Sequence, residues 1–423
     1  MAATHESSPS PKRVLLVENG IGYGGAIICL RHLVRNLDRG RYEPIVVTGR
    51  DDAPYQGIAA EAEWVPIRDR HIDVARIRRR LAAVGWLQRA GPLRWLVYQV
   101  LARTDDVANF LPFFLGLLWL AVRRRPALIH VNNEPLCNRA AVFVGRLLGV
   151  PVVAHVRGDL HETRLLRWLY SLPAHFIPVS NWVSANLGRL GVPAEKRTPV
   201  YDGIELDRLD LTADGAAFRR RHGIAPAAFV VGLVGLLIPW KGQRLMLEAG
   251  RILLQRIPDL QLVLVGGTPD ECVEYEAELR ALAGQPQFGG RVVFTGHVSD
   301  MAAAYNGLDV VVSASTSPEP LGTVVIESLA LARPLVAPDH GGAVEMVEQG
   351  RTGLLFHAGD AQSLAEAILA LHADPALGKR LGAAARQHAL QTFAVRTHAN
   401  RVQAIFDDVL AQQAVAPVPG HSG

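Results

Sequence analysis

Cysteine is scarce in this chain: Cys29, Cys137 and Cys272 are odd in number, far apart and outside any Cys-x-x-Cys or Cys/His ligand spacing. Neither a disulfide framework nor a zinc site fits that pattern, and a reducing compartment is the simplest setting. Met1 to Pro11 is small and polar with no apolar centre, so no secretory signal is expected. No run reaches the about twenty apolar residues of a membrane span; the nearest, Val107 to Val122, is broken by Asn109 and Pro112. The Gly-x-x-x-x-Gly-Lys-Ser/Thr loop of phosphate-binding NTPases is absent. Net charge is also small, at +4, and with no recognised binding motif beside it nucleic acid is not an expected partner.

What is present describes a globular enzyme-sized chain. About half of the 423 residues are apolar and a fifth are charged, and the length exceeds what one core usually organises, so two domains are expected. Arg13 to Glu18 reads as a buried strand, followed by the glycine-rich Asn19 to Gly25 and a helix from about Ala26 to Leu37. Strands recur at Ile45 to Thr48, Leu128 to Val131, Val152 to His155 and Phe176 to Val179. The pattern restarts at Phe229 to Val234 and continues through Leu260 to Val265, Val292 to Thr295, Val310 to Ser313 and Leu335 to Ala337. Strand and helix alternation of this kind predicts two doubly wound, Rossmann-like α/β domains with mostly parallel sheets. The Asp202-Gly203 turn places their boundary near Glu205. Two such domains in tandem imply a cleft between the carboxyl ends of two sheets, which suits a nucleotide-bearing ligand without selecting a reaction.

The most informative segment is Ser317 to Glu327. Glu319 falls in a loop shortly after a strand, Leu321, Gly322 and Thr323 open a helix, and Glu327 lies about one turn in. A helix start offers free N–H groups to a phosphate, and carboxylates accept hydrogen bonds from sugar hydroxyls. Ordinary helix-start chemistry also favours acids there, so the two glutamates alone leave both meanings open. Lys241, after the loop from Gly235, sits at another helix start, where a cation is unfavourable unless an anion is near. His155 and Arg157, two apart at a strand end, share a face.

Glu319 to Glu327 resembles the E-x7-E signature of glycosyltransferase family 4, also called the group 1 glycosyl transferases. Pro239 to Gln243, Phe294-Thr295-Gly296-His297-Val298 and Pro338 to Glu345, with Gly341 and Gly342, are similar to further family patterns in the family's order. The resemblance covers nearly all of the second half; in the first it rests on the glycine loop, with Gly24 and Gly25, and on general layout. It implies a GT-B fold, two Rossmann-like domains facing each other across a cleft, and a retaining transfer from a nucleotide sugar, UDP- or GDP-linked. Glu319 and Lys241 would be catalytic, the first holding hydroxyls of the transferred sugar and the second facing the diphosphate. Glu327 would bind the ribose. Leu321, Gly322, Thr323, Gly24, Gly25, Gly296, His297, Gly341 and Gly342 would line the substrate. A family histidine that contacts the donor sugar corresponds to His155 or Arg157. No metal and no cofactor is implied, because cations and helix dipoles can neutralise the diphosphate. One departure stands out: the family often has Gly-Arg-Leu where this chain reads Gly235-Leu236-Leu237, so the paired cation is missing from its usual place.

From Arg68 to Arg125 the chain has twelve arginines against four acids, interleaved with Trp86, Trp95, Tyr98, Phe110, Phe113, Phe114 and Trp119. This is either a set of core helices with a solvated basic face or a segment lying in a membrane interface. The second alternative makes a lipid-linked acceptor the leading expectation, and a cytoplasmic enzyme peripheral on the membrane's cytoplasmic face.

The resulting expectation divides the chain into a disordered 1–11; an acceptor-binding domain over 12–205 with an insert at 68–125; a nucleotide-sugar-binding domain over 206–394; a helix over 395–413; and a disordered tail over 414–423. The expected product is a glycan or glycolipid of the cell surface. Two alternatives are a non-catalytic sugar-nucleotide binder, which the missing arginine at Leu236 favours, and a GT-B epimerase, which would need a catalytic acid pair in the first domain.

Overall fold

The computed structural model describes residues 10–19, 25–68, 77, 80–82, 84–158, 164–206 and 209–415. Two compact units account for them: the first comprises residues up to Val179, then Val183–Val200 and Ala399 onward, and the second Ser180–Trp182 and Tyr201–His398. The division at Tyr201 falls close to the Asp202-Gly203 turn. Gly203 is required there, since a Cβ would lie 2.6 Å from the Val395 Cα. Ala414 and Val415, assigned to the tail by sequence, instead end the last helix, Val395–Val415. Beyond its first turn that helix belongs to the first unit, where Ala399, Val402 and Phe406 are fully buried.

In the first unit the strands are β1 (Lys12–Glu18), β2 (Tyr42–Thr48), β3 (Glu63–Pro66), β4 (Leu128–Val131), β5 (Val152–Val156) and β6 (His175–Pro178). They form one parallel sheet in the order β3-β2-β1-β4-β5-β6. Val14 to Val17 are fully buried, as a near-continuous apolar run must be when helices cover both faces. The second unit contains β7 (Phe229–Val234), β8 (Leu260–Val265), β9 (Val292–Gly296), β10 (Val310–Val312), β11 (Leu335–Pro338) and β12 (Leu354–Phe356), ordered β12-β11-β10-β7-β8-β9 and again parallel. Read from its first strand outward, this is the same topology repeated.

That topology fixes where ligands can go. Strand order reverses between β1 and β4 in one sheet and between β7 and β10 in the other, so successive connections leave to opposite faces and open a crevice at the carboxyl ends. The predicted Lys241 and Glu319 segments leave from the second reversal point, while residues 20–24 of the predicted glycine loop lie outside the described residues.

Candidate functional site

In the second unit Leu233 on β7 pairs with Val312 on β10, so the segments leaving these strands start side by side. The loop after β7 carries Lys241, and the one after β10 carries Ser315 and Glu319. Gly242 locks the two together. It adopts φ +77°, and a Cβ there would come within 1.9 Å of the Ala314 carbonyl oxygen. Fully buried Gln243 donates to the Leu236 carbonyl at 2.8 Å and ties down the rest of the β7 loop.

This brings the Lys241 ammonium 2.8 Å from a Glu319 carboxylate oxygen, with both side chains more than four-fifths buried. The ammonium also lies 4.4 Å from the centre of the Trp240 ring, whose face is attractive to a cation. Ser315 donates its hydroxyl to the other Glu319 oxygen, and its carbonyl meets His340 Nε2 at 2.8 Å. The sequence motifs include His340 and Trp240 without giving them a role, and Ser315 falls outside them. Ser315 acts on Glu319 from the same loop and Trp240 on its chain neighbour Lys241, while His340 reaches Ser315 from the loop after β11.

Gly341 and Gly342, expected to line the substrate, are pressed against the loop that holds Glu319. With φ +62°, Gly341 would place a Cβ 2.7 Å from the Glu319 carbonyl oxygen, and Gly342 would place one 2.6 Å from that of Pro320. The Gly342 N–H donates to Glu319 O at 2.8 Å. These glycines therefore permit the close approach that fixes the carboxylate. Gly322 caps the helix Thr323–Ala330; the Val325 N–H turns back to the Gly322 carbonyl at 3.0 Å, and the N–H groups of Thr323 and Val324 precede the first such bond, beside Glu319. Small recesses here are lined by Lys241, Ser313, Ser315, Glu319, Gly322 and His340. A larger cavity of about 630 Å³ opens elsewhere, beside the amino ends of β7 and β10, and includes none of these groups.

Glu327 accepts a 2.7 Å hydrogen bond from the hydroxyl of fully buried Tyr305. Burial raises its pKa, while the Tyr305 hydrogen bond acts in the opposite sense by favouring the ionised form. Gly296 ends β9 at φ +66°, and it and His297 are exposed at the same carboxyl edge, two strands from β7. Leu236, where the family's arginine is missing, is 52% exposed.

The first unit furnishes its reversal point differently. Buried Glu18, at the end of β1, accepts from Asn132, which follows β4 and also donates to the Ala26 carbonyl at 3.0 Å. Asn138 accepts from the Asn19 N–H at 3.0 Å and donates to the Asn132 carbonyl at 2.6 Å. Arg157, just past β5, donates to the Asn132 side-chain oxygen and lies 3.2 Å from His155 Nδ1. Of this pair, His155 is fully buried, edge-on to His130, whereas Arg157 reaches the partly exposed strand end. Gly25 starts the first helix, Gly25–Asn36, with nothing within 4 Å of an added Cβ; Gly24 lies outside the described residues.

Comparisons with known proteins agree with both halves. Residues 214–388 match the family described as glycosyl transferases group 1, and residues 24–203 match a glycosyl transferase 4-like domain. A GDP-mannose-dependent alpha-(1-6)-phosphatidylinositol monomannoside mannosyltransferase of Mycolicibacterium smegmatis is 32% identical over 53% of this chain, which spans 59% of that relative's length. The lipopolysaccharide core biosynthesis mannosyltransferase LpcC of Rhizobium leguminosarum is 30% identical over 70% of this chain and 82% of its own. Among solved structures, Anabaena HepE in complex with UDP and glucose superposes with a TM-score of 0.76 over 94% of this chain and all of its own, at 22% identity, a likeness of fold. With both sheets, the signature segment and these matches in agreement, the chain belongs to the group 1 glycosyltransferases and has their GT-B fold.

Proposed function

We propose that this protein is a retaining glycosyltransferase that moves a sugar from a nucleoside-diphosphate donor, UDP- or GDP-linked, to a glycan or lipid-linked acceptor in cell-surface polysaccharide, lipopolysaccharide or glycolipid synthesis. The observation that carries this reading is the buried Lys241–Glu319 pair beside the Gly322 helix start. It sets a cation, a carboxylate and free N–H groups at one strand-order reversal, the combination a sugar diphosphate requires. On this reading the donor diphosphate takes Lys241 and the helix N-terminus, Glu319 turns to hydroxyls of the transferred sugar, and Glu327, held by Tyr305, receives the ribose. The first unit takes the acceptor.

The reaction breaks the bond between the anomeric carbon and the diphosphate oxygen, and the electron pair leaves with the diphosphate. The acceptor oxygen bonds to the anomeric carbon from that same face, and its proton passes to the departing diphosphate oxygen. Lys241 stabilises the growing negative charge, so the reading includes no metal and no cofactor. The mannosyltransferase activities named for two relatives, one acting on a phosphatidylinositol mannoside, support a lipid-linked or polysaccharide acceptor. A cytoplasmic setting accords with three cysteines that form no disulfide.

One observation favours a second reading, a sugar-nucleotide binder without turnover: the exposed Leu236 in place of the usual arginine. A thermal-shift screen against UDP-, GDP- and ADP-sugars, paired with an assay for slow donor hydrolysis, separates the two. Stabilisation by one donor, lost in Glu327→Ala and Lys241→Ala and accompanied by hydrolysis and no change on adding EDTA, is expected. Stabilisation without hydrolysis would identify the binder, and stabilisation by no donor would reject both.

A further inference from the structure

Among its described residues, the arginine-rich insert buries one helix face in the first unit and exposes an apolar stripe flanked by arginines on the other. Gly91–Asp105, the π-helical Asp106–Phe110 and Leu111–Arg124 run on without a break, about 50 Å of helix at 1.5 Å per residue. One face of its second half is buried: Phe113, Leu117, Leu120 and Ala121 are 0 to 3% exposed. The opposite face is apolar too. Val100, Val107, Leu111, Leu115, Trp119 and Val122 recur at helical spacing and are 43 to 65% exposed. Trp86 and Trp95 are exposed nearby, at 66% and 64%. Arg94, Arg103, Arg123 and Arg125 are exposed beside this stripe, and the Arg123 guanidinium lies 5.3 Å from the Trp119 ring centre. From Gly85 to Arg125 the sequence holds six arginines and two acids, Asp105 and Asp106.

From these features we infer that the Leu93–Arg125 stripe is a docking surface for an anionic phospholipid bilayer, with the helix lying in the interfacial plane. Leucine, valine and tryptophan enter the boundary of the acyl chains while the arginines meet lipid phosphates. Val107–Arg124 is long and apolar enough to cross a bilayer by length and composition. Crossing would nevertheless strip Phe113, Leu117 and Leu120 from the first unit's interior, whereas lying flat uses both faces as they stand. A second copy is disfavoured by charge, because a self-complementary interface would bring arginine against arginine. The inference concerns where the protein works and is independent of the donor chemistry proposed above.

The test is flotation of the purified full-length chain with vesicles of phosphatidylcholine alone or mixed with phosphatidylglycerol, at low and high salt, with sedimentation velocity on the lipid-free protein. The wild type is expected to bind the phosphatidylglycerol vesicles and to lose about tenfold in partitioning at high salt. Leu115→Ser/Trp119→Ser and, separately, Arg94→Glu/Arg103→Glu/Arg123→Glu should each weaken binding about tenfold or more. Unchanged melting temperatures would show that the variants fold, and if the first does not fold the second decides. Wild type that stays off anionic vesicles, or variants that bind as well as it does, would overturn the inference. So would a wild-type dimer that Leu115→Ser/Trp119→Ser converts to monomer without any vesicle binding.

Discussion

The two sheets share strand order, parallel pairing and a reversal point, yet the crevices they open are furnished in different ways. At the first, Glu18 accepts from Asn132, Asn132 and Asn138 donate to backbone carbonyls, and Arg157 donates to Asn132. At the second, Glu319 takes Lys241 on one oxygen at 2.8 Å and the Ser315 hydroxyl on the other, while the ammonium also faces the Trp240 ring. A carboxylate tied to a framework asparagine is part of the frame; a carboxylate paired with an ammonium can exchange that partner for a ligand's charges. The comparison teaches that topology supplies the place and side-chain bookkeeping decides which crevice is ready for an anion.

The sharpest way to break that contrast is Lys241→Met, which keeps the stem against Trp240 and removes the charge. Loss of a cation placed on a leaving diphosphate should lower turnover about 10²- to 10³-fold, read as transfer or slow hydrolysis of the donor. A smaller loss, below about tenfold, would mean that the leaving group is stabilised mainly by the helix N-terminus. The stability of the variant should fall as well, because Glu319 stays mostly buried without its partner.

Glycine sharpens the comparison next. Both first loops are glycine-rich, but Gly242→Ala must relieve a left-handed φ and a 1.9 Å approach to Ala314, so a loss of about 2–4 kcal/mol is expected in denaturant unfolding. Gly25→Ala meets open space at the start of a helix and should be neutral or stabilise by up to about 1 kcal/mol. Equal losses at the two positions would remove the distinction between a glycine that packing requires and one that it does not.

Periodicity and turn chemistry made the fold legible. The strand expected at Phe229 to Val234 is β7 residue for residue, and the restart of the pattern there is the second sheet. Lys241, Glu319 and Gly322, which the structure brings together, were picked out as candidates because they lie in ordered motifs. Ser315 and Tyr305 were not, since a serine four residues before a glutamate, or a tyrosine twenty-two before another, has no local pattern. Nor did sequence assign the end of the Val395–Val415 helix to the first unit, because amphipathic spacing says that a helix buries a face and is silent on which core receives it. Gly341 and Gly342 carried the opposite lesson: a motif found by its letters serves the backbone approach that holds Glu319.

The mildest perturbation tests Glu327. Its raised pKa means that the folded state binds a proton more readily than the unfolded chain does. Between the ordinary glutamate value and the raised folded one, the native state therefore holds more protons, and rising pH through that window lowers stability. Below the window the carboxyl is neutral in both states and the penalty vanishes. Glu327→Gln should thus gain stability relative to wild type as pH rises through this window, even as it loses donor binding. Tyr305→Phe removes the one hydrogen bond that favours the ionised carboxylate and should cost about 1 kcal/mol at neutral pH while moving the window upward. Melting temperatures of the three proteins across the acid range provide the measurement. If Tyr305→Phe instead moves the window down, Tyr305 supports the protonated form, and Glu327 enters ribose recognition as a donor rather than an acceptor.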